Sequence, residues 1–167
     1  MNAIAHKVTH DVLVINEGII LEFTSMEPFI DRFNQSTAAM SMLFKETPSS
    51  SKYVYSITGD EVIEIHHKEL PVHFSGNFLS QYENFELRSD LVDLKCYLFR
   101  KFVLELEDPQ RIKKHLIPQL LEDENKVTYH VIDGDAFTVN NFDNYVKTNG
   151  ACCIPFVIPK KLKNAAP

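Results

Sequence analysis

The chain has 167 residues, of which 44% are hydrophobic and 24% are charged, an ordinary composition for one globular domain. Its formal net charge is −6, and residues 159–167 contain three lysines and no acid, so residues 1–158 carry a net charge of −9. Such an acidic body argues against direct nucleic-acid binding, because it repels the phosphate backbone, and it favours a basic partner.

The sequence also argues against a membrane or secreted protein. No run approaches the 18 apolar residues of a membrane span, and residues 1–11 lack the apolar core of a signal peptide. The cysteines are Cys96, Cys152 and Cys153, an odd number without a disulfide spacing, which fits a reducing compartment. We therefore expect a cytoplasmic protein.

Three pairs of apolar runs predict β-hairpins, because each pair flanks a short turn that contains glycine. In the second pair, Gly59 suits the first central position of a type II′ turn. Tyr53 would then lie opposite His66. Tyr55 would lie opposite Glu64, on a face that we expect to be partly exposed. The paired segments are residues 11–15 and 19–23, residues 53–58 and 61–67, and residues 126–132 and 136–139.

Residues 90–107 follow a helical period, and their apolar side chains cover an arc of about 200°. Ser89 would be the N-cap. An arc this wide predicts the most buried helix of the chain, with Phe99 and Phe102 inside. If Phe102 is fully buried, its replacement by alanine would cost about 3–5 kcal/mol. Lys95 falls near the middle of the arc. Either its apolar stem is buried while its ammonium reaches the surface, or the lysine lines a pocket.

The predicted order of elements is completed by helices over residues 24–45, from Pro109 onward and over residues 140–148, and by a last strand over residues 151–158. Residues 24–45 carry a capping-box spacing and an apolar stripe, and the helix beginning at Pro109 should be kinked or divided at Pro118. Hairpins without β-α-β alternation predict an α+β fold, a mostly antiparallel sheet built from hairpins and packed against the central helical segment. Residues 1–158 would form one domain, and residues 159–167 a frayed basic tail.

Histidines offer the strongest candidates for metal chemistry. His66, His67 and His73 lie near several acidic residues, and imidazoles with carboxylates can bind zinc. Neighbouring residues of a strand point to opposite faces, however, so we expect no convergence of these histidines on a metal. The weaker alternative is a small metal-assisted hydrolase that uses them.

Nucleophilic and phosphate-binding motifs are absent from the sequence. Cys152 or Cys153 with His130 is conceivable, but no motif surrounds either cysteine, and Cys96 reads as an inert core thiol. With five glycines in the chain, neither G-x-G-x-x-G nor a P-loop occurs.

The missing catalytic motifs, the acidic body and the exposed hairpin face favour a non-enzymatic protein-binding module. We expect it to neutralise or escort a basic protein, without a cofactor, as an immunity protein, an antitoxin against a toxin, or a comparable inhibitor. The alternatives are the hydrolase and a secretion chaperone or structural subunit of a larger assembly. The residues expected to bind the partner are Tyr53, Tyr55, Glu64, Glu105, Glu107, Asp108, Glu122, Asp123 and Glu124.

Overall fold

In a computed structural model of the protein, the residues described are 8–16, 18–21, 26–48, 51–69, 82, 84–106, 111–133 and 136–138. Strands are the commonest secondary structure among them. The strands are β1 (Val12–Ile15), β2 (Ile19–Leu21), β3 (Met40–Glu46), β4 (Tyr53–Thr58), β5 (Glu61–His67), β6 (Glu86–Arg88), β7 (Leu91–Phe99), β8 (Val127–Val131) and β9 (Ala136–Thr138).

Seven strands form one sheet in the order β1-β7-β3-β8-β5-β4-β6, and β2 pairs with β9 in a separate two-stranded sheet. Within the described residues, β3 and β8 run parallel, whereas the other pairs are antiparallel. The α-helices in the described part of the chain are short: α1 spans Glu27–Gln35 and α2 spans Ile117–Glu122. The expected mostly antiparallel α+β fold is confirmed at that level, but no described helix is central. No helix in the described ranges is long and apolar enough to cross a membrane.

The prediction of a helix over residues 90–107 was wrong. The segment forms β7, which lies between β1 and β3, and then a 3-10 helix at Lys101–Glu105. Its apolar side chains are buried on both faces of the sheet, including Leu98 and Phe99. A strand covered on both faces reads as a nearly continuous apolar run, and such a run satisfies a helical period as well.

The ends of that segment also depart from expectation. Phe99 is fully buried as predicted, but Phe102 is 44% exposed, so the expected burial of Phe102 was wrong. The pairing of β3 with β7 shifts between Met42 and Phe44, and Lys95 adopts φ +53° in this bulge. Lys95 is consequently exposed, so neither the buried stem nor the pocket position that we expected is found.

Residues 24–45 do not form one helix. Helix α1 ends at Gln35, and β3 begins five residues later. The end of α1 is held by Arg100, whose guanidinium donates to the carbonyls of Phe33, Ser36 and Ala38 at 2.6–3.1 Å. Carbonyls at a helix C-terminus lack partners within the helix, so this contact lets the chain turn directly into the sheet.

The hairpin from β4 to β5 is confirmed, and its turn has Gly59 at φ +58°. Its register differs from the expected one, because a shift near Ser56 pairs Tyr53 with His67 and Tyr55 with Ile65. The other two expected hairpins were wrong: β1 pairs with β7, and β2 pairs with β9. The division at Pro118 is confirmed, because a π-helical turn at Ile112–Leu116 precedes α2.

The two faces of the large sheet differ in chemistry. The face beneath α2 is here named the aromatic face; its buried strand residues include Met40, Met42, Phe44, Tyr55, Ile57, Tyr97, Phe99 and Val127. The opposite face is here named the mixed face. It packs Leu43, Leu94, Cys96 and Leu98 against α1, and by strand alternation it also carries the buried Ser41, Ser56, His66 and Thr128.

Several expectations fall outside the described residues. They are the short helix over residues 140–148, the strand over residues 151–158, the basic tail at residues 159–167, and the environments of Cys152 and Cys153.

Candidate functional site

A lysine whose side chain is only 17% exposed lies on the aromatic face, where it meets an acid and two tyrosines. Lys113 Nζ lies 2.8 Å from Asp93 Oδ2 and donates to the Tyr55 hydroxyl at 2.8 Å. The same ammonium lies 4.2 Å from the centre of the Tyr53 ring, a cation–π contact. Tyr97 adds a hydrogen bond from its hydroxyl to Asp93 Oδ2 at 2.7 Å. We name these five residues the lysine cluster.

Local structure explains why this lysine points inward. Lys113 precedes Leu116, Ile117 and Leu120 by three, four and seven residues, a spacing that places all four on one side of a helical segment. The three apolar residues are buried against the sheet, and Lys113 is carried with them. Sequence reasoning did not single out Lys113, although this spacing is the signal by which it could have been found.

Asp93 is positioned by the bulge in β7. Its side chain is only 4% exposed, and its Oδ1 accepts a hydrogen bond from the Lys95 backbone N–H at 2.6 Å. Together with Lys113 and Tyr97, this donor satisfies both carboxylate oxygens. A buried carboxylate needs such partners, because an unpaired charge in the interior is costly.

Burial sets the protonation of the cluster. It lowers the pKa of the Lys113 ammonium, an effect that the Asp93 carboxylate opposes. Burial, reinforced by the charge of Asp93, raises the pKa of both Tyr55 and Tyr97. The tyrosines therefore stay neutral and act as hydrogen-bonding groups. Since every charged group of the cluster has a partner, the arrangement binds α2 to the sheet and presents no free nucleophile.

An open cleft lies beside the turn between β4 and β5, and we name it the turn cleft. Its volume is about 480 Å³, in the range of small-molecule pockets. The Tyr129 hydroxyl donates to the Gly59 carbonyl at 3.3 Å, and the Thr58 hydroxyl donates to the Asn84 carbonyl at 3.0 Å. These bonds tie the turn to β8 and to the segment before β6. The lining residues are Ile57, Thr58, Gly59, Asn84, Phe85, Glu86 and Tyr129.

A row of rings connects the turn cleft to the lysine cluster. The centre of the Tyr129 ring lies 6.0 Å from that of Phe44, which in turn lies 4.7 Å from that of Tyr55. Both pairs meet edge to face, a favourable arrangement of aromatic quadrupoles. The two candidate regions therefore share one packed layer on the aromatic face.

The residues expected to bind a partner do not come together as proposed from the sequence. Tyr55 is fully buried and Tyr53 is half-buried over Lys113, so the expected exposure of Tyr55 was wrong. Glu64 lies on the mixed face, 3.5 Å from His66. The hairpin therefore offers no continuous tyrosine and glutamate surface, because the register shift and the packing of α2 separate them.

The acidic candidates at the helix ends are exposed where the structure describes them. They are Glu105, Glu122, Asp123 and Glu124, whereas Glu107 and Asp108 lie outside the described residues. Glu105 lies 4.0 Å from Lys101, a weak surface pair. Docking of a basic protein on these acids stays a prediction.

The histidine cluster divides between the two faces, as the strand alternation predicts. His66 is buried, and its Nε2 lies 3.0 Å from the Ser56 hydroxyl, whereas the His67 ring packs against Tyr53. Ser56 and Glu64 both approach the same nitrogen of His66, so they do not form a nucleophile–base–acid relay, which uses both ring nitrogens. His73 lies outside the described residues, in which no three potential ligand side chains cluster around a metal position.

Cys96 is a buried core thiol, as expected, but it lies in a strand and not in a helix. It is fully buried in β7 beneath α1, and burial raises the pKa of its thiol to about 12. The thiolate is the reactive form of cysteine, so this side chain is inert near neutral pH.

Neither a protein-family model nor a curated protein sequence matches this chain. Solved structures do match. A Bacillus anthracis protein assigned as a glucose-1-phosphate thymidylyltransferase, in complex with sucrose, has a TM-score of 0.63 at 16% identity, over 90% of this chain and 58% of its own. HddC from Yersinia pseudotuberculosis has a TM-score of 0.62 at 12% identity, over 90% and 59%. The UTP-bound UGPase of Acinetobacter baumannii has a TM-score of 0.62 at 17% identity, over 87% and 52%.

At these identities the likeness shows the fold alone, and the chain spans between half and three fifths of each neighbour. The likeness nevertheless corrects our leading functional prediction. The proteins with which the chain shares this fold include a thymidylyltransferase and a UTP-bound UGPase, and none of the three named is an immunity protein or an antitoxin. The expectation of a non-enzymatic immunity protein, antitoxin or inhibitor was therefore wrong. Composition misled us, because net charge reports on solubility and association rather than on fold.

Proposed function

We propose that this chain is the sheet domain of an enzyme that acts on a nucleotide or a sugar nucleotide. The observation that carries the proposal is the likeness of 87–90% of the chain to the thymidylyltransferase and the UTP-bound UGPase. Function belongs to sites rather than to folds, so this assignment is an analogy at the level of the fold. The turn cleft supports it independently, because its size and mixed aromatic and polar lining suit a small polar ligand.

Ligand binding is the part of this function to which the described residues contribute. The sequence contains no glycine-rich phosphate loop, and no cluster of three metal-ligating side chains is found in the described ranges. The described residues therefore do not fit a metal centre, and we assign them no metal-dependent step. Transfer chemistry would need groups that lie elsewhere.

The lysine cluster supports the cleft by rigidity. Lys113 fastens the helical segment before α2 to Asp93 of β7, and the ring of Phe44 packs between Tyr55 and Tyr129. A binding site works best when its supporting side chains are locked by packing and hydrogen bonds. We assign the cluster this supporting role.

Calorimetric titration of the purified chain tests the proposal. UTP, dTTP and a uridine-diphosphate sugar are each titrated with and without Mg²⁺, and pyrophosphate release is followed after adding glucose 1-phosphate. We expect saturable binding of at least one nucleotide or sugar nucleotide. At about 1 mM ligand, even a site of about −4 kcal/mol is half filled. The absence of binding and of turnover with every ligand would contradict the proposal.

A further inference from the structure

Among the residues that the structure describes, the lining of the turn cleft carries polar and aromatic chemistry but no basic side chain. Phe85 and Tyr129 supply ring surface, and Asn84 and Glu86 are exposed polar residues on the same wall. A flat ligand that stacks on rings and exchanges hydrogen bonds with an amide and a carboxylate would match this set. A phosphate group would not, because Glu86, an acid, is the only charged residue in the described part of the lining.

The charges around the cleft reinforce this selectivity. Burial raises the pKa of the Tyr129 hydroxyl, and the nearby carboxylates Glu86, Asp60 and Glu46 raise it further, against the opposing effect of Arg88. Arg88 itself is held by two hydrogen bonds to Asp90 and one to Glu46, each 2.7 Å long. Its charge is therefore compensated by acids, and the surroundings of the cleft stay negative.

We propose that the turn cleft binds the nucleoside moiety of a nucleotide ligand and excludes its phosphates. The base packs against Tyr129 and Phe85, the Asn84 amide reads its polar edge, and the ribose hydroxyls donate to the Glu86 carboxylate. The phosphates leave the cleft toward solvent. This inference rests on the proposed function and names the part of the ligand that this region recognises.

A nucleoside suits the site better than a bare sugar or an inorganic anion. A sugar has no planar ring to stack on the aromatic residues of the lining, Phe85 and Tyr129. An anion would meet Glu86 directly. An acidic side chain that accepts from ribose hydroxyls is a common arrangement in nucleotide-binding folds.

The first experiment compares uridine, thymidine and adenosine with their monophosphates by calorimetric titration of the full chain. We expect at least one nucleoside to bind as tightly as its monophosphate or more tightly. We also expect the affinity of the nucleoside to be independent of salt. The monophosphate should bind more weakly at low salt, where its repulsion by the cleft is less screened.

The second experiment uses variants of exposed lining residues, which leave the core intact. Glu86→Gln should weaken nucleoside binding by about tenfold, because a hydrogen bond to a charged acceptor is lost. Asn84→Ala should weaken it by a similar factor. Glu86→Lys should invert the order, so that the monophosphate binds more tightly than the nucleoside. Glu122→Gln, at an exposed glutamate outside the cleft lining, is the matched control and should change nothing.

The outcomes separate this inference from the proposed function. If UTP binds while uridine does not, and the Glu86 and Asn84 variants bind UTP normally, the cleft assignment is overturned and the proposed function stands. If a nucleoside and its monophosphate bind through Glu86 while no nucleoside triphosphate or sugar nucleotide binds or turns over, the cleft assignment stands and the enzymatic proposal fails. If neither nucleosides nor nucleotides bind, both are overturned.

Discussion

The aromatic face and the mixed face bury polar groups in different ways. On the aromatic face, charge is concentrated in the lysine cluster, where Lys113 and Asp93 meet at 2.8 Å among tyrosines. On the mixed face, polar groups form cross-strand pairs, such as Thr128 with Ser41 at 3.0 Å and Ser56 with His66 at 3.0 Å.

This difference decides how the stability of each face responds to substitution of polar residues and to pH. A buried ion pair leaves a charge without compensation when one partner is removed, whereas a broken neutral pair leaves one hydrogen-bonding group unsatisfied. The aromatic face should therefore be the more sensitive to substitution of a polar residue. The mixed face should be sensitive to pH near neutrality, because it holds buried histidine.

The largest effect is expected from Asp93→Ala. It would leave the Lys113 ammonium buried without its carboxylate and should lower the free energy of unfolding by about 3–5 kcal/mol. Denaturant titration measures this change. Adding Lys113→Met to the same chain should recover part of the loss, since no buried charge then remains.

Asp90→Ala is the matched control for that experiment. Asp90 also pairs with a base, Arg88, but its side chain is 45% exposed, so its loss should cost about 0–1 kcal/mol. If Asp93→Ala and Asp90→Ala lowered the free energy of unfolding equally, the contribution of an ion pair to stability would not depend on its burial.

A smaller effect is expected from Arg100→Ala, which tests how α1 is fixed over the mixed face. The substitution frees carbonyls of Phe33, Ser36 and Ala38, and it should cost about 2–3 kcal/mol. Arg100→Lys should restore little, because an ammonium lacks the planar fork of donors. Arg32→Ala, at an exposed arginine in the last turn of α1, is the control. A loss for Arg100→Ala no greater than for Arg32→Ala would argue against this anchoring role.

The pH dependence of stability should separate the faces further. Burial lowers the pKa of His66, and burial with the charge of Arg32 lowers that of His130. Below the unfolded value of about 6.5, the unfolded chain binds more protons than the folded one, so stability falls as pH decreases through the range down to the folded pKa values. Glu64, beside His66, has a raised pKa and contributes with the opposite sign, losing stability as pH rises through its folded value.

Unfolding measured in steps between about pH 7.5 and pH 5 tests this expectation. His66→Gln and His130→Gln should each flatten the curve. An identical pH profile in the wild-type chain and in the double variant His66→Gln/His130→Gln would contradict it.

The smallest effect is expected from Phe102→Ala. Because this ring is 44% exposed, its removal should cost less than about 1 kcal/mol. Phe99→Ala, only three residues earlier but fully buried on the aromatic face, should cost about 3–5 kcal/mol. Similar losses for the two variants in denaturant titration would show that the 3-10 segment is buried under these conditions.

The sequence predicted the structure correctly where residues that are close together in the chain decide it. The Gly59-Asp60 turn defined the hairpin of β4 and β5, because a positive φ at the first turn position favours glycine. Pro118 divided the helical segment around it, because proline cannot donate a backbone hydrogen bond within a helix. The burial of Phe99 likewise followed from its apolar character.

The candidate site was much less accessible from the sequence. Tyr53 and Tyr55 were selected as exposed partner-binding residues, but they meet Lys113, which is 58 residues from Tyr55 along the chain. Tyr129 and Asn84 of the turn cleft carry no motif at all. Their juxtaposition depends on three separate segments being brought to one end of the sheet, which no local spacing encodes.

By itself, the sequence determined the α+β class, the turn of one hairpin, the division at Pro118 and the apolar residues available for a core. Tertiary structure decided that residues 91–99 form a strand between β1 and β3, and that β2 pairs with β9. The physical reason is that an apolar run buried on both sides satisfies the helical and the extended period alike. Partner strands distant in the chain then supply the hydrogen bonds and the second buried face that make the extended form the stable one.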